Sequence, residues 1–429
     1  MSSTPTLIIL AGGASSRMWP IREKSLLRFG PAPLLTTQLK RYAAIGFRDA
    51  VIVANPDSVA EVTALAEAMT EMNVQVVVQS EAKGMGDAIL AAEPVLDPDQ
   101  PIYINQIHDI VDIELHARML QAHIENPAAA FVAANERPEY FPGGYLVVDG
   151  ERRVTGIVEK PGADKRPSNL VNIVIHLYPG GRALFDALRA EYARDLTSDD
   201  HYERAMDALM KTTVFKAVPY TGHWAALKFP WHTLDVMNVF LSQIKGQQVD
   251  ETAFIAKTAS LVGDVYIGPG AKVFPGAAVV GPAYVGSGVI VGNNALVRNS
   301  MVLDRSEVGF TTEVARSYVA ERCAMHACRV LDSVFAQGVN FSAGCTTANL
   351  RIDHGHVFST VKGNRLDTGR DKFGAVIGED AFLGVDVMTM PGVKIGAHAE
   401  VGPGMHVQHD LPANVRAYVK QEVVIVEKE

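Results

Sequence analysis

The residues able to do chemistry gather first behind the opening apolar run. Leu10-Ala11-Gly12-Gly13-Ala14-Ser15-Ser16-Arg17-Met18-Trp19-Pro20 continues directly from the strand expected at Leu7–Leu10. Small residues at Gly12, Gly13 and Ser15 let backbone N–H groups approach an anion, and Arg17 adds a planar two-point donor. Seven residues on, Lys24 in Glu23-Lys24-Ser25-Leu26-Leu27 supplies a second cation. A glycine pair alone describes a tight strand-to-helix turn equally well; two cations beside it describe a phosphate site. Further along, Cys323, His326 and Cys328 spell C-x-x-H-x-C, with Cys345 the one cysteine left to complete a zinc set. Cysteine usually behaves as a small core residue, and that is the reading taken for these three.

The elements that must position these groups change character along the chain. Up to about residue 235, apolar β-rich runs (Leu7–Leu10, Ala50–Val53, Val74–Val78, Ile102–Asn105, Ala130–Ala133) alternate with helix-period segments such as Pro33–Ile45 and Ser58–Met72. That alternation predicts an α/β domain with a mostly parallel sheet, which binds ligands beyond the carboxyl ends of its strands. A short helical stretch, Val236–Lys245, and a polar segment, Gly246–Glu251, follow. Aliphatic residues then recur every six positions, at Ile255, Leu261, Ile267, Val273, Val279, Val285, Val291 and Val297, often with glycine next, as in Ile267-Gly268. The register returns at Ile377, Leu383, Thr389, Ile395, Val401 and Val407, after a break between Leu303 and Val376 where polar loops are inserted. The period predicts a parallel β-helix in which each hexapeptide forms one side of a coil and glycine relieves the corner. The predicted organisation is 1–235, a linker helix at 236–250, and 251–429.

Composition bounds the rest. Of 429 residues, 39 are Lys or Arg and 48 Asp or Glu, a net charge of −9 that argues against coating a nucleic acid. Thirty-six glycines with only 7% aromatics suit a turn-rich repeat architecture. No stretch approaches the ~18 apolar residues of a membrane span, and Thr6–Ala11 is too short for a signal sequence. Three cysteines cannot all pair internally, so a soluble, cytoplasmic, reduced protein is expected.

The N-terminal run resembles the signature of sugar-1-phosphate nucleotidyltransferases, roughly L-x-G-G-x-G-T-R-x-x-P followed by P-K-P-L-L. Other marks of that family follow in order: Gln79-Ser80-Glu81-Ala82-Lys83-Gly84, Asp109, Glu159-Lys160-Pro161, Asn172, then Trp224 and Pro230-Trp231. The resemblance implies a Rossmann-like nucleotidyltransferase domain. In it, a sugar-1-phosphate oxygen attacks the α-phosphorus of a nucleoside triphosphate and releases pyrophosphate. It assigns Arg17 and Lys24 to the triphosphate, Gly12, Gly13, Ser15, Gln79 and Gly84 to the nucleotide, Glu159, Lys160 and Asn172 to the sugar phosphate, and Asp109 to Mg2+. This chain departs from the pattern at Ser15 and Ser16, which replace Gly-Thr, and at Glu23, which replaces proline. Ala226 stands where many relatives carry a second metal-binding aspartate, with Asp235 nine residues on.

The hexapeptide region resembles the left-handed β-helix of bifunctional glucosamine-1-phosphate acetyltransferase/N-acetylglucosamine-1-phosphate uridylyltransferases. Met325-His326-Ala327-Cys328-Arg329-Val330-Leu331-Asp332-Ser333 and Asn340-Phe341-Ser342-Ala343-Gly344-Cys345-Thr346-Thr347-Ala348-Asn349 carry the likeness. It implies His326 as general base for acetyl transfer from acetyl-CoA to a sugar amine. Asn340, Asn349 and Lys372 would contact the sugar, Arg298 and Arg316 its phosphate, in a homotrimer formed through the β-helix. Arg329 replaces the family's tyrosine and Leu331 a glycine, so a β-helix kept for a binding, regulatory or purely trimer-forming role is the alternative reading. A third reading is a non-catalytic nucleotide-sugar-binding subunit, motivated by Ala226. Base and sugar stay open.

Overall fold

The computed structural model describes residues 4–13, 15–21, 23–141, 143–151, 153–195 and 200–428; Ala14, within the N-terminal motif, lies outside these. Contacts divide the chain into one unit of residues 1–14 and 33–226 and another of 15–32 and 227–429, where the composition change alone suggests a boundary at 235.

The first unit is built on β1 (Thr6–Ala11), α1 (Leu34–Ala44), β2 (Asp49–Ala54), α2 (Val59–Glu67), β3 (Asn73–Val78), α3 (Met85–Ala92) and β4 (Ile102–Gln106). A two-residue β5 (Asp109–Ile110), α4 (Ile113–Glu125), β6 (Ala130–Glu136), β7 (Gly144–Val148), β8 (Arg153–Glu159) and β9 (Leu170–Tyr178) follow. The unit ends with α5 (Arg182–Arg194), α6 (His201–Leu209), β10 (Phe215–Tyr220) and a two-residue β11 (Ala225–Ala226). Every strand predicted from apolar runs is present, with its ends within three residues of those expected.

The sheet runs β3-β2-β1-β4-β9-β6-β10-β8-β7. It is mixed rather than mostly parallel: β3, β2, β1 and β4 are parallel, as are β6 and β10, while β9 lies antiparallel to β4, β6 and β7. The reason is connection length. No α-helix separates β6 from β9, so that stretch returns by hairpins, and only helical crossovers produce parallel neighbours. Because β2 and β4 flank β1 on opposite sides, the strand order reverses at β1, and the crevice for a ligand opens at its carboxyl end, at Gly12-Gly13.

The second unit contains α7 (His232–Leu241) and three stacked parallel sheets. The predicted helix at Val236–Lys245 starts earlier, and the predicted linker is already structural: Gln247–Val249 pairs with Val265–Ile267 as the first rung of the β-helix. Ile267, Val273, Val279, Val285, Val291 and Val297 are wholly buried, stacked inward as the six-residue frame requires.

The frame does not break at Leu303. Inward residues continue through Val302, Val308, Val314, Val319, Met325, Val330, Phe335, Phe341 and Thr347, none more than 2% exposed. What changes is coil length: partners lie 18 residues apart at Val265–Ala283, 17 at Tyr284–Met301 and Met301–Tyr318, and 16 at Tyr318–Val334. Sides shortened to five residues turn at Asn299, Arg316, Ala327 and Asp332, all with left-handed φ of 46–49°. Buried Ser300, Ser317 and Ser333 stack beside three of these turns. Each hydroxyl donates to the carbonyl two residues back, and Ser300 and Ser317 each accept the amide of the next serine, at 3.0 Å. This column satisfies backbone groups that tight corners would orphan. A polar insertion follows Thr347 and carries the hairpin Phe358–Val361/Asn364–Asp367.

The glycines after inward aliphatics serve close stacking rather than a left-handed turn. A Cβ on Gly396 would lie 2.2 Å from the Ala413 backbone nitrogen. Gly396→Ala is therefore expected to destabilise by about 1–3 kcal/mol, since backbone cannot step aside as a side chain can; urea denaturation followed by circular dichroism reads it directly.

Candidate functional site

At the carboxyl end of β1, Gly12 is buried against Gln79: a Cβ there would stand 2.6 Å from Gln79 Oε1. Gln79 Nε2 donates to Gly84 O at 3.0 Å and to Asp87 Oδ2 at 2.8 Å. Gly84 takes φ +95° at the start of α3, a conformation glycine adopts without penalty. Tyr192 closes the segment from α5, its hydroxyl donating to Lys83 O and accepting the Asp87 amide, each at 2.8 Å. Gln79 and Gly84 thus form a hydrogen-bonded floor against which Gly12 packs, with Gly13 open beside it.

Asp109 is 2% exposed and lies directly opposite Ala226 in the β5–β11 pair. Trp224 Nε1 donates to Asp109 Oδ1 at 3.1 Å. The indole packs 5.2 Å from Phe141, and the Arg137 guanidinium lies 5.3 Å above it and 4.9 Å above Phe141. Burial pulls the Arg137 guanidinium down from its ordinary value. Arg137 is a residue the motif reading misses; the available signal was its position just past the strand Ala130–Ala133. Asp235 does not stand in for the missing aspartate, because it pairs with Arg370 in the second unit.

Gly144 separates Glu159 from Asn172: a Cβ there would meet Glu159 Oε2 at 3.0 Å and Asn172 Cβ at 3.8 Å. Lys160 follows with φ +45°, exposed, its Nζ 3.5 Å from Glu159 Oε1. Behind Asn172 runs a buried polar chain in which Asn172 Oδ1 meets His176 Nε2 at 2.9 Å and His176 Nδ1 meets Tyr202 Oη at 2.6 Å. Burial pushes the His176 imidazole down to about 3, so it is neutral, and with the amide so placed, Nε2 carries the proton and Tyr202 donates to Nδ1. His176, also missed from sequence, orients Asn172.

Arg17 and Lys24 belong to the second unit, where residues 15–32 pack with the β-helix. Arg28 pairs with Asp304 at 2.8 Å and Glu321 at 2.9 Å, Tyr318 donates to Arg28 O at 2.9 Å, and Phe29 stacks on Phe240 at 5.4 Å. Ser15 takes φ +47°, and the Arg17 guanidinium is exposed, 6.0 Å above Phe229.

In the β-helix, His326 is exposed at the corner before the strand Arg329–Leu331. At that strand's other end, Asp332 is 6% exposed and accepts two hydrogen bonds from Arg316, both at 2.7 Å, and one from Asn349. Arg298 is paired with Glu313 at 2.9 Å. Both arginines expected on a sugar phosphate thus already have carboxylate partners, and one copy keeps His326 apart from Arg316 and Asn349 by the length of the strand. Asn340 accepts from Ser342 at 3.3 Å, and Lys372 is exposed, bridging to Leu350. The zinc reading fails: Cys323, Cys328 and Cys345 are buried free thiols, raised by burial to about 12, 12 and 11, while His326 faces outward. Among the described residues no group of three or more His, Cys, Asp or Glu is arranged to hold a metal, and no helix is long and apolar enough to cross a membrane.

Comparison with known proteins adds lineage to this geometry. The family model described as Nucleotidyl transferase matches residues 6–227, and the model for the GMPPB C-terminal domain matches residues 261–361. The chain is 30% identical to the bifunctional sugar-1-phosphate nucleotidylyltransferase/acetyltransferase of Sulfurisphaera tokodaii, over 94% of this chain and 97% of that one. It is 29% identical to the bifunctional protein GlmU of Methanococcus aeolicus, over 98% and 99%. To that of Methanocaldococcus jannaschii it is 30% identical over 81% of each chain. With a matched model spanning more than half its length and relatives aligned nearly end to end, this chain belongs to the nucleotidyl transferase family.

Proposed function

We propose that the protein makes a nucleoside diphosphate sugar and pyrophosphate from a nucleoside triphosphate and a sugar-1-phosphate. The observation that carries this is the Gly12–Gln79–Gly84 floor at the strand-order reversal. A phosphate oxygen of the sugar-1-phosphate attacks the α-phosphorus, the bond to the bridging oxygen of the β-phosphate breaks, and pyrophosphate leaves with that electron pair. Two anions must be brought together, so positioning and charge neutralisation dominate catalysis. In this reading Gly12, Gly13, Ser15, Gln79 and Gly84 hold the nucleotide, Arg17 and Lys24 neutralise the triphosphate, and Glu159, Lys160 and Asn172 hold the sugar phosphate. His176 keeps the Asn172 carbonyl occupied, which turns its NH2 toward the sugar.

The family reading also implies Mg2+. Asp109 offers one buried carboxylate with Ala226 opposite. Mg2+ commonly takes one or two protein carboxylates and fills the rest of its shell with substrate phosphates and water, so the donor set fits a metal that arrives with the triphosphate. When bound, Mg2+ would supply further charge neutralisation.

The relatives' names support acetyl transfer from acetyl-CoA as a second activity. Because one copy separates His326 from Arg316 and Asn349, that activity belongs with the homotrimer reading, in which a neighbouring β-helix completes the site.

A matrix of nucleoside triphosphates against sugar-1-phosphates, with pyrophosphate detection, tests the primary reading. At least one pair is expected to release pyrophosphate and form the nucleotide sugar in equal amounts. Ligand binding with no release from any pair would leave the non-catalytic subunit as the better account.

A further inference from the structure

Within the second unit, a cavity of about 420 Å3 opens between residues 16–19 and the hairpin of the β-helix insertion. Its lining includes Arg17, Trp19, Lys362, Lys394 and Asp410. We propose that this cavity is a binding site for a phosphoryl ligand, a small phosphate ester or free phosphate, held by Lys394, Lys362 and Arg17 against the face of Trp19.

Lys394 carries the inference. Its side chain is only 3% exposed, although the sequence places it on an outward position of a rung, beside inward Ile395. Its ammonium donates to Thr360 O and lies 4.8 Å from the Trp19 ring centroid. The nearest carboxylate oxygen, Asp410 Oδ2, is 3.7 Å away, too far for a hydrogen bond, and Asp410 Oδ1 already accepts the Lys394 backbone amide at 2.8 Å. An ammonium has three donors, so a nearly buried one with a single short hydrogen bond, to Thr360 O, and its paired carboxylate held off at 3.7 Å keeps donor capacity for a further acceptor. Burial lowers the Lys394 amine and raises the Asp410 carboxyl from their ordinary values, as expected where desolvation outweighs pairing. A phosphoryl oxygen in the cavity would supply both the acceptor and the charge.

Two further features fit. Three cations and one carboxylate line the space, so its net charge suits an anion. The wall comes from the one insertion in the coil among the described residues, with Lys362 (φ +49°) and Gly363 (φ +80°) at the hairpin turn. Solenoid insertions usually gather on a binding face. The volume lies in the range of small-molecule sites, about 300–1,000 Å3.

Calorimetric titration of the full chain tests this with ribose 5-phosphate, inorganic phosphate and unphosphorylated ribose. Saturable binding is expected for at least one phosphorylated probe, weakened tenfold or more by Lys394→Met and by Lys362→Ala. Lys362 is exposed, so its variant reports on binding even if Lys394→Met folds poorly. Phosphate binding as tightly as the ester identifies the free ion as occupant; an ester preference identifies the larger ligand. Asn172→Ala, which disables the proposed sugar site, is expected to leave this binding unchanged, so the outcome is independent of the nucleotidyl-transfer reading. That reading enters only through Arg17, shared by both, which predicts that occupancy alters turnover. Lack of saturation by both phosphorylated probes overturns the site, as does equal binding of ribose or affinity unchanged from the parent in both lysine variants.

Discussion

Arg17→Ala lowers pyrophosphate release by about two to three orders of magnitude, the usual cost of removing one preorganised donor from a developing charge, and leaves the chain folded. The asymmetry follows from where the side chain sits. Arg17 is exposed, makes no ion pair among the described residues, and lies 6.0 Å above the Phe229 ring. Little of the fold depends on it. By contrast, its segment is held firmly through Arg28, which bridges Asp304 and Glu321, so the backbone presenting Arg17 stays in place in the variant. Arg17→Lys keeps a point charge but loses the planar fork, and an intermediate rate is expected. Steady-state pyrophosphate assays with matched thermal melts measure both; turnover within twofold of the parent in Arg17→Ala would remove the residue from the triphosphate site.

The second large effect concerns Asp109 and the alanine facing it. Asp109→Asn is nearly isosteric and can still accept from Trp224 Nε1, yet it removes the one carboxylate in the β5–β11 pair. Turnover is expected to fall about a hundredfold or more, with a raised requirement for Mg2+, because a neutral amide is a poor ligand for a hard cation. Ala226→Asp probes the same place in the opposite direction. The register sets the new carboxylate directly against Asp109, and like charges facing each other across a strand pair are destabilising. The variant should melt a few degrees lower in chelator and recover when Mg2+ is added. A melting temperature indifferent to Mg2+ would show that this pair does not hold a cation.

How much of this was legible beforehand depended on whether the information was local. The six-residue period identified the inward residues from Ile267 to Val297, since a buried stack must repeat in sequence as it does in space. It misled between Leu303 and Val376, because five-residue sides shift the phase without disturbing the stack; the serines at 300, 317 and 333 were visible, but their role depends on coils lying above one another. Glycine enrichment was noticed for the right region and for a partly wrong reason, since Gly396 is required by a neighbouring coil rather than by its own φ. For Arg137 the local signal is only its place just past the strand Ala130–Ala133, and for His176 there is none; their roles arise once Trp224 and Asn172 fold against them.

By itself, the sequence determined the α/β and β-helix architectures and the five strands marked by apolar runs, which follow from spacing along the chain, while the phosphate-loop, Gln79 and Glu159-Lys160 readings came from resemblance to a family. Only the tertiary structure decided that Ala226 faces Asp109, that Asp332 gathers Arg316 and Asn349, and that residues 15–32 join the β-helix. These are pairings between distant segments. Strand register and long-range ion pairs are chosen by the whole set of competing contacts, and local spacing carries no record of that choice.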